Sequence, residues 1–117
     1  MKFIKTHEKE WQDKQGYSKR IFLNEKDLKH LGSLVQEIKI KPHDEAKSHY
    51  HKKQTEIFYF LNTNGYFTVN GEKIVPEVGD ILVVEPNDKH IVTNDTDEDF
   101  LYLAFKVNYD ENDSYWE

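Results

Sequence analysis

A chain of 117 residues fits one compact domain and leaves no room for a second. At 37% hydrophobic and 32% charged it is polar for a globular chain, but 14% aromatics supply the bulk for a small core. A net charge of −6 repels phosphate backbones and argues against a nucleic-acid partner, and the lack of cysteine excludes disulfides and thiolate zinc sites.

Residues 1–16 are polar with scattered Phe3, Ile4 and Trp11, and read as an N-terminal arm, irregular or briefly helical. The barrel-like domain is expected over 17–117. Tyr17 to Leu23 is a first strand, and Asn24 to Leu28 a turn or one helical turn that ends at Gly32. From Leu34 to Lys41 the pattern has period two. Leu34, Gln36, Ile38 and Ile40 form a mostly apolar face against Val35, Glu37, Lys39 and Lys41.

Pro42 to Glu45 reads as a turn, His49 to His51 as the start of a strand, and Lys52 to Thr55 as an interruption. Glu56 to Leu61 is an aromatic strand, followed by a loop over 62–65. Tyr66–Val69 and Glu72–Val75 flank Asn70-Gly71, a pair that tolerates the positive φ of a tight hairpin. Turns at Pro76–Gly79 and Pro86–Lys89 bracket an apolar strand at Asp80–Glu85. His90–Asn94, an acidic turn and a long strand at Phe100–Val107 follow. Short strands separated by turn signals describe an antiparallel all-β sandwich or barrel.

No apolar run approaches the ~20 residues that span a bilayer, and the first residues lack a signal-peptide core, so the chain is expected to be soluble and cytoplasmic. Of the 16 basic residues only Arg20 is an arginine. An anionic ligand would therefore be held by Arg20 or by lysines acting as point charges, which disfavours phosphosugars.

His49 and His51 stand at i and i+2, so on a strand they project to one face with Tyr50 on the other. Glu56 has the wrong parity for one unbroken strand, and the turn at 52–55 lets the chain re-enter. His90 follows a tight turn and a barrel can fold it back beside the others. Three imidazoles and a carboxylate suit a divalent first-row metal. Taken singly each of these residues is ordinary: a His-X-His occurs by chance, and Glu56 or His90 could be a plain surface or packing residue.

The joint spacing resembles the cupin superfamily. Its first motif has an opening glycine, His-X-His, a glutamate a short turn later and a closing glycine. Its second has a glycine, a Pro-X-Gly turn, a histidine and an asparagine. His49, His51 and Glu56 match the first motif; Gly79, His90 and Asn94 match the second. The likeness covers roughly residues 33–107. Departures fall at turns: His43 and Thr63 stand at the glycines of the first motif, and Glu85 and Asn87 at the proline and glycine of the second. They leave the ligand positions intact and point to a reshaped barrel mouth.

The resemblance implies an antiparallel jelly-roll β-barrel, with His49, His51, Glu56 and His90 holding one divalent transition metal: Fe, Mn, Ni or Zn. It further implies a small-molecule ligand or substrate and a homodimer. The expected function is binding or transformation of a small organic molecule, of dioxygenase or isomerase type. The alternative is a non-catalytic binding module or a barrel braced by its metal. No separate acid or base stands out. His43 is a turn residue or an accessory ligand. Phe58, Tyr59, Phe60, Tyr66 and Phe67 are core or the wall of an apolar pocket. Asn94 is expected to serve the backbone of its own strand, and His7 and His30 lie on the surface. The Tyr115-Trp116 tail is expected to dock on the barrel or on a neighbouring subunit.

Overall fold

A computed structural model describes all residues, 1–117. Eleven strands, all paired antiparallel, form two sheets that face each other as a jelly-roll barrel. The strands are β1 (Gln12–Asp13), β2 (Ser18–Leu23), β3 (Leu34–Ile40), β4 (Glu45–Tyr50), β5 (Thr55–Phe60), β6 (Tyr66–Val69), β7 (Glu72–Ile74), β8 (Ile81–Val84), β9 (His90–Thr93), β10 (Phe100–Val107) and β11 (Tyr115–Trp116). The larger sheet runs β1-β2-β3-β10-β5-β8 and the smaller β11-β4-β9-β6-β7.

Between the sheets lie Ile38, Ile40, Phe58, Phe60, Phe67, Val84, Val92, Phe100, Tyr102 and Ala104, all buried. Each large side chain in this set contributes about 1.5–3 kcal/mol by leaving water. Phe60 and Phe100 stack with ring centroids 5.9 Å apart, and Phe67 sets its edge against both. Of the five aromatics in the stripe, Phe58, Phe60 and Phe67 are core, with Phe58 also lining a cavity, while Tyr66 is half-buried and Tyr59 lies on the outer surface.

Asn24 and Asp27 cap a single helical turn, α1 (Glu25–Leu28), by a reciprocal capping box. The Asn70-Gly71 hairpin forms, with φ of 50° and 84°. Val75 falls outside β7. At two motif glycines the chain keeps the left-handed backbone without glycine: His43 has φ 61° and Asn87 φ 73°. Gly65, by contrast, is required for space, since a Cβ there would meet the Phe100 ring and the Thr93 carbonyl.

One strand boundary is corrected, and one charged residue is buried. The strand expected at 49–51 begins earlier, at Glu45, because Ala46 on it is a core residue. Glu37, on the polar face of β3, is buried: Trp11 of the arm covers that face, and Arg20 pairs with Glu37 at 2.6 Å. No helix is long and apolar enough to cross a membrane.

Candidate metal centre

Both sheets contribute to the site. His49 on β4 is the cross-strand partner of His90 on β9, just beyond a bulge after Ala46. His51 follows the last residue of β4. Glu56 on β5 comes from the opposite sheet, flanked by Lys106 on β10 and Val84 on β8. The turn after His51 is shorter than expected, since Thr55 already belongs to β5. A backbone bond from Asn87 to the His51 carbonyl, at 2.6 Å, ties the turn before His90 to the end of β4.

One ligand atom from each of His49, His51, Glu56 and His90 lies within 4.8 Å of the other three, so the group could hold a metal ion. Glu56, His51 and His90 are 6%, 4% and 1% exposed. Each imidazole has its Nδ1 against a backbone carbonyl: His49 on Lys47 at 2.8 Å, His51 on Asp113 at 2.6 Å and His90 on Asp88 at 3.0 Å. A carbonyl only accepts, so each Nδ1 donates. In the neutral rings all three Nε2 lone pairs are left for the site, the arrangement that metal-binding imidazoles need.

Glu56 Oε1 lies 2.6 Å from His51 Nε2 and 3.6 Å from His90 Nε2. Neither Glu56 Oε1 nor His51 Nε2 has a properly aligned hydrogen bond, although both atoms are buried. A carboxylate oxygen that close to an imidazole nitrogen needs a cation shared by the two, a proton in the metal-free chain or a metal ion ligated by both. The donor set, all nitrogen and oxygen, fits a divalent first-row ion.

Electrostatics agree. Burial, and then the neighbouring His90, hold the His49 pKa down to about 4, so its ring is neutral near pH 7. Burial would raise the Glu56 carboxyl, but the facing His51 and His90 outweigh it and keep the group well below the usual range. The carboxylate is therefore ionised.

Above the quartet lies a cavity of about 80 Å³, with Tyr17, Lys19, Gln36, Tyr102, Lys106 and Trp116 in its wall. Burial raises both phenols, and the Glu56 charge adds to it, so Tyr17 and Tyr102 stay protonated. Sequence reasoning missed these groups. Lys106 was detectable, because it continues the parity of Phe100, Tyr102 and Ala104 on β10. Lys19 and Tyr17 carried no such signal, since β2 is only half-buried on that face.

The remaining candidates fall elsewhere. His43 pairs with Asp97 at 2.7 Å on the surface and is no part of the group. Asn94 does not serve its own strand: its amide donates to the carbonyls of Ile40 and Glu98 and accepts from Thr96, fastening β3 to the acidic turn. His7 and His30 are exposed. The tail docks on its own barrel, where Tyr115 and Trp116 pair with Tyr50 and His49 as β11. Trp116 lies 4.7 Å from the His49 ring.

Comparison with known proteins agrees with this architecture. Residues 36–106 match the family described as the cupin domain. The oxalate-binding protein of Thermotoga maritima is 26% identical over 82 residues, covering 70% of this chain and 68% of the relative. The structure of a predicted oxalate decarboxylase from the same organism superposes with a TM-score of 0.82 at 19% identity, over 91% of this chain and 98% of the other. KdgF from Halomonas gives a TM-score of 0.80 at 19% identity, over 96% and 97%. Pac13, a nucleoside dehydratase from Streptomyces, gives 0.76 at 14%, over 100% and 91%. At these identities the solved structures speak for the fold.

Proposed function

We propose that this chain, which belongs to the cupin domain family, holds one divalent transition metal between His49, His51, Glu56 and His90 and binds a small organic molecule on it. The supporting observation is the locking of three Nδ1 protons on backbone carbonyls, which turns three Nε2 lone pairs toward one ionised carboxylate. Fe, Mn, Ni and Zn are the candidate ions. A bound ion would supply Lewis-acid activation or, for Fe or Mn, dioxygen chemistry. The chain's own residues orient the ligand. Tyr17 and Tyr102 bring phenol O–H groups to the wall, Trp116 lines it beside His49, and the apolar side chains of Ile38, Phe58 and Val92 limit access of bulk water.

Turnover of dioxygenase or isomerase type is the catalytic form of this proposal. Binding without turnover is the second reading, favoured by the relative named as an oxalate-binding protein. Metal analysis of the purified protein, followed by titration with Mn, Fe, Ni and Zn, tests the common premise; a protein that takes up none of them refutes it. Oxygen uptake and product analysis on the loaded protein then separate turnover from binding.

The proposal extends to a homodimer. The tail is engaged on its own barrel, so the surface offered to a second copy is the outer face of β5 and β8. Tyr59, Ile81 and Val83 are exposed there side by side, with Ile81 at 63%.

A further inference from the structure

We infer that Asn70, which lies outside the cavity, is a positioning residue for the metal centre. Its side-chain amide clamps the turn before β9 and thereby holds the His90 ring with Nε2 toward the quartet. The inference rests on the metal reading above and adds to it a residue that would not touch the ion.

Asn70 stands at the tip of the β6–β7 hairpin, next to Val69, whose cross-strand partner is His90. Its Nδ2 donates to Asp88 Oδ1 at 2.9 Å, and its Oδ1 accepts the Lys89 N–H at 2.9 Å. Its own backbone N–H donates to the Lys89 carbonyl at 2.8 Å. Asp88 and Lys89 immediately precede His90, and the Asp88 carbonyl accepts the His90 Nδ1 proton at 3.0 Å. The clamp therefore fixes the acceptor that selects the His90 tautomer and aims its ring. The turn is otherwise closed on itself. The Asp88 N–H donates to the Glu85 carbonyl, and Asp88 Oδ2 accepts the Glu85 N–H at 2.9 Å. Beyond the strands it joins, it is anchored at the His51 carbonyl by the Asn87 N–H, at Asn70, and by the ion pair of Lys89 with Glu117. That ion pair is about half exposed and adds little.

The hairpin alone does not need this amide. A tight turn with φ 50° at its first position accepts Asp or Gly as well as Asn. What the amide adds is one donor and one acceptor on a single planar group, set against a carboxylate and a backbone N–H. Asn70→Asp would keep the acceptor for Lys89 and place a second carboxylate oxygen against Asp88 Oδ1. Asn70→Gly would keep the turn and delete both side-chain bonds. Asn70 is exposed at the tip of the hairpin, so neither change enters the core. The two substitutions thus act on the clamp and leave the strands and the quartet's own side chains as they are.

The test uses the full chain. Nitrogen NMR of the metal-free protein, in mild alkali where an ordinary imidazole is neutral, reads which His90 nitrogen carries the proton. The native chain should hold it on Nδ1, and Asn70→Asp and Asn70→Gly should each give a mixture of tautomers. Zn²⁺ affinity, measured by calorimetry, should fall about tenfold in both, the order of loss when a group that orients a metal ligand is removed. Combining Asn70→Asp with Asp88→Asn reverses donor and acceptor across the pair and keeps an oxygen for the Glu85 N–H. This exchange should return the proton to Nδ1 and the affinity to within about twofold of native. A clamp that serves stability alone would lower the urea midpoint and leave the tautomer and the zinc affinity unchanged, and that result overturns the inference. An affinity lost in Asn70→Asp and not regained in the exchange overturns it as well. Asn70→Gly introduces no charge, so it decides the matter even where Asn70→Asp misfolds. If the native chain takes up no zinc, the metal reading is overturned; the tautomer measurement, made without metal, still decides whether Asn70 orients His90.

Discussion

The backbone carbonyl of Asp113 accepts the Nδ1 proton of His51 at 2.6 Å, across 62 residues of sequence. The same residue's carboxylate accepts the backbone N–H groups of Lys52, Lys53 and Gln54 at 2.8–3.0 Å. One tail residue thus orders the turn between His51 and Glu56 and also decides which nitrogen of His51 faces the cavity. The C-terminal tail is part of the proposed metal centre through its backbone.

Asp113→Ala should release this clasp. Three N–H groups lose a charged acceptor, two of them near solvent, and the expected loss is about 2 kcal/mol in urea unfolding. Metal affinity should fall about tenfold or more, because the tail that carries the Asp113 carbonyl is no longer clasped and the His51 ring is held less firmly. Calorimetric metal titration of the variant checks the second effect independently of the first.

The clasp also has a pH signature. Burial would raise the Asp113 carboxyl, but the three backbone donors and His51 outweigh it and lower its pKa. A lowered carboxylate contributes stability that is complete above its unfolded value of ~3.9 and is lost as pH falls through the lower folded value. The stability gap between the native chain and Asp113→Asn should therefore be constant near neutrality and narrow only below about pH 4. Denaturant midpoints measured at pH 7 and in that acid range would reveal it; a gap that instead widens in acid contradicts the assignment.

Glu56→Gln separates ligation from folding. In the metal-free chain Glu56 Oε1 lies 2.6 Å from His51 Nε2, and an amide at position 56 can donate to that nitrogen of the neutral ring. The variant without metal should melt no lower than the native chain without metal. The native chain should gain about 2.7 kcal/mol at a metal concentration one hundred times Kd, and the variant should gain far less. Differential scanning calorimetry with and without Zn²⁺ reads both.

Two glycines should respond differently to alanine. Gly65→Ala puts a methyl group against the Phe100 ring and 2.7 Å from the Thr93 carbonyl, in the stacked centre of the core. A loss of about 3 kcal/mol or more is expected from such overpacking. At Gly71 a Cβ meets nothing within 4 Å, and only its φ of 84° opposes the change. Gly71→Ala should cost about 1 kcal/mol. Equal losses in chemical denaturation would show that the core does not close on Gly65.

For the proposed dimer, light scattering should give twice the chain mass, and Ile81→Glu should halve it. Ile81 is on the outer face of β8, away from the quartet, so metal uptake should not change. A native chain that scatters as a monomer removes the proposal.

Local chemistry wrote much of this protein into its sequence. Period-two alternation marks strands because successive side chains leave opposite faces, and Phe100–Val107 folds over the span its pattern indicates. Asn70-Gly71 makes its hairpin because both residues accept positive φ. The spacing of His49, His51, Glu56 and His90 survives folding because strand parity and turn length fix where those side chains point, and the structure brings all four together.

Other features depend on which faces the two sheets cover. Glu37 reads as an outward residue until Trp11 and Arg20 close over it, and Lys19 reads as a surface lysine until the cavity opens beside it. Asn94 bonds to Ile40, and Asp113 clasps the turn after His51, through contacts more than fifty residues apart in sequence. Alternation gives the parity of a strand but not which face is inside, and no local pattern specifies a partner so far along the chain. The sequence by itself determined most of the long strands, the tight turns and the four converging side chains. Only the packing of one sheet on the other decided the polar wall around them and the tail that locks His51.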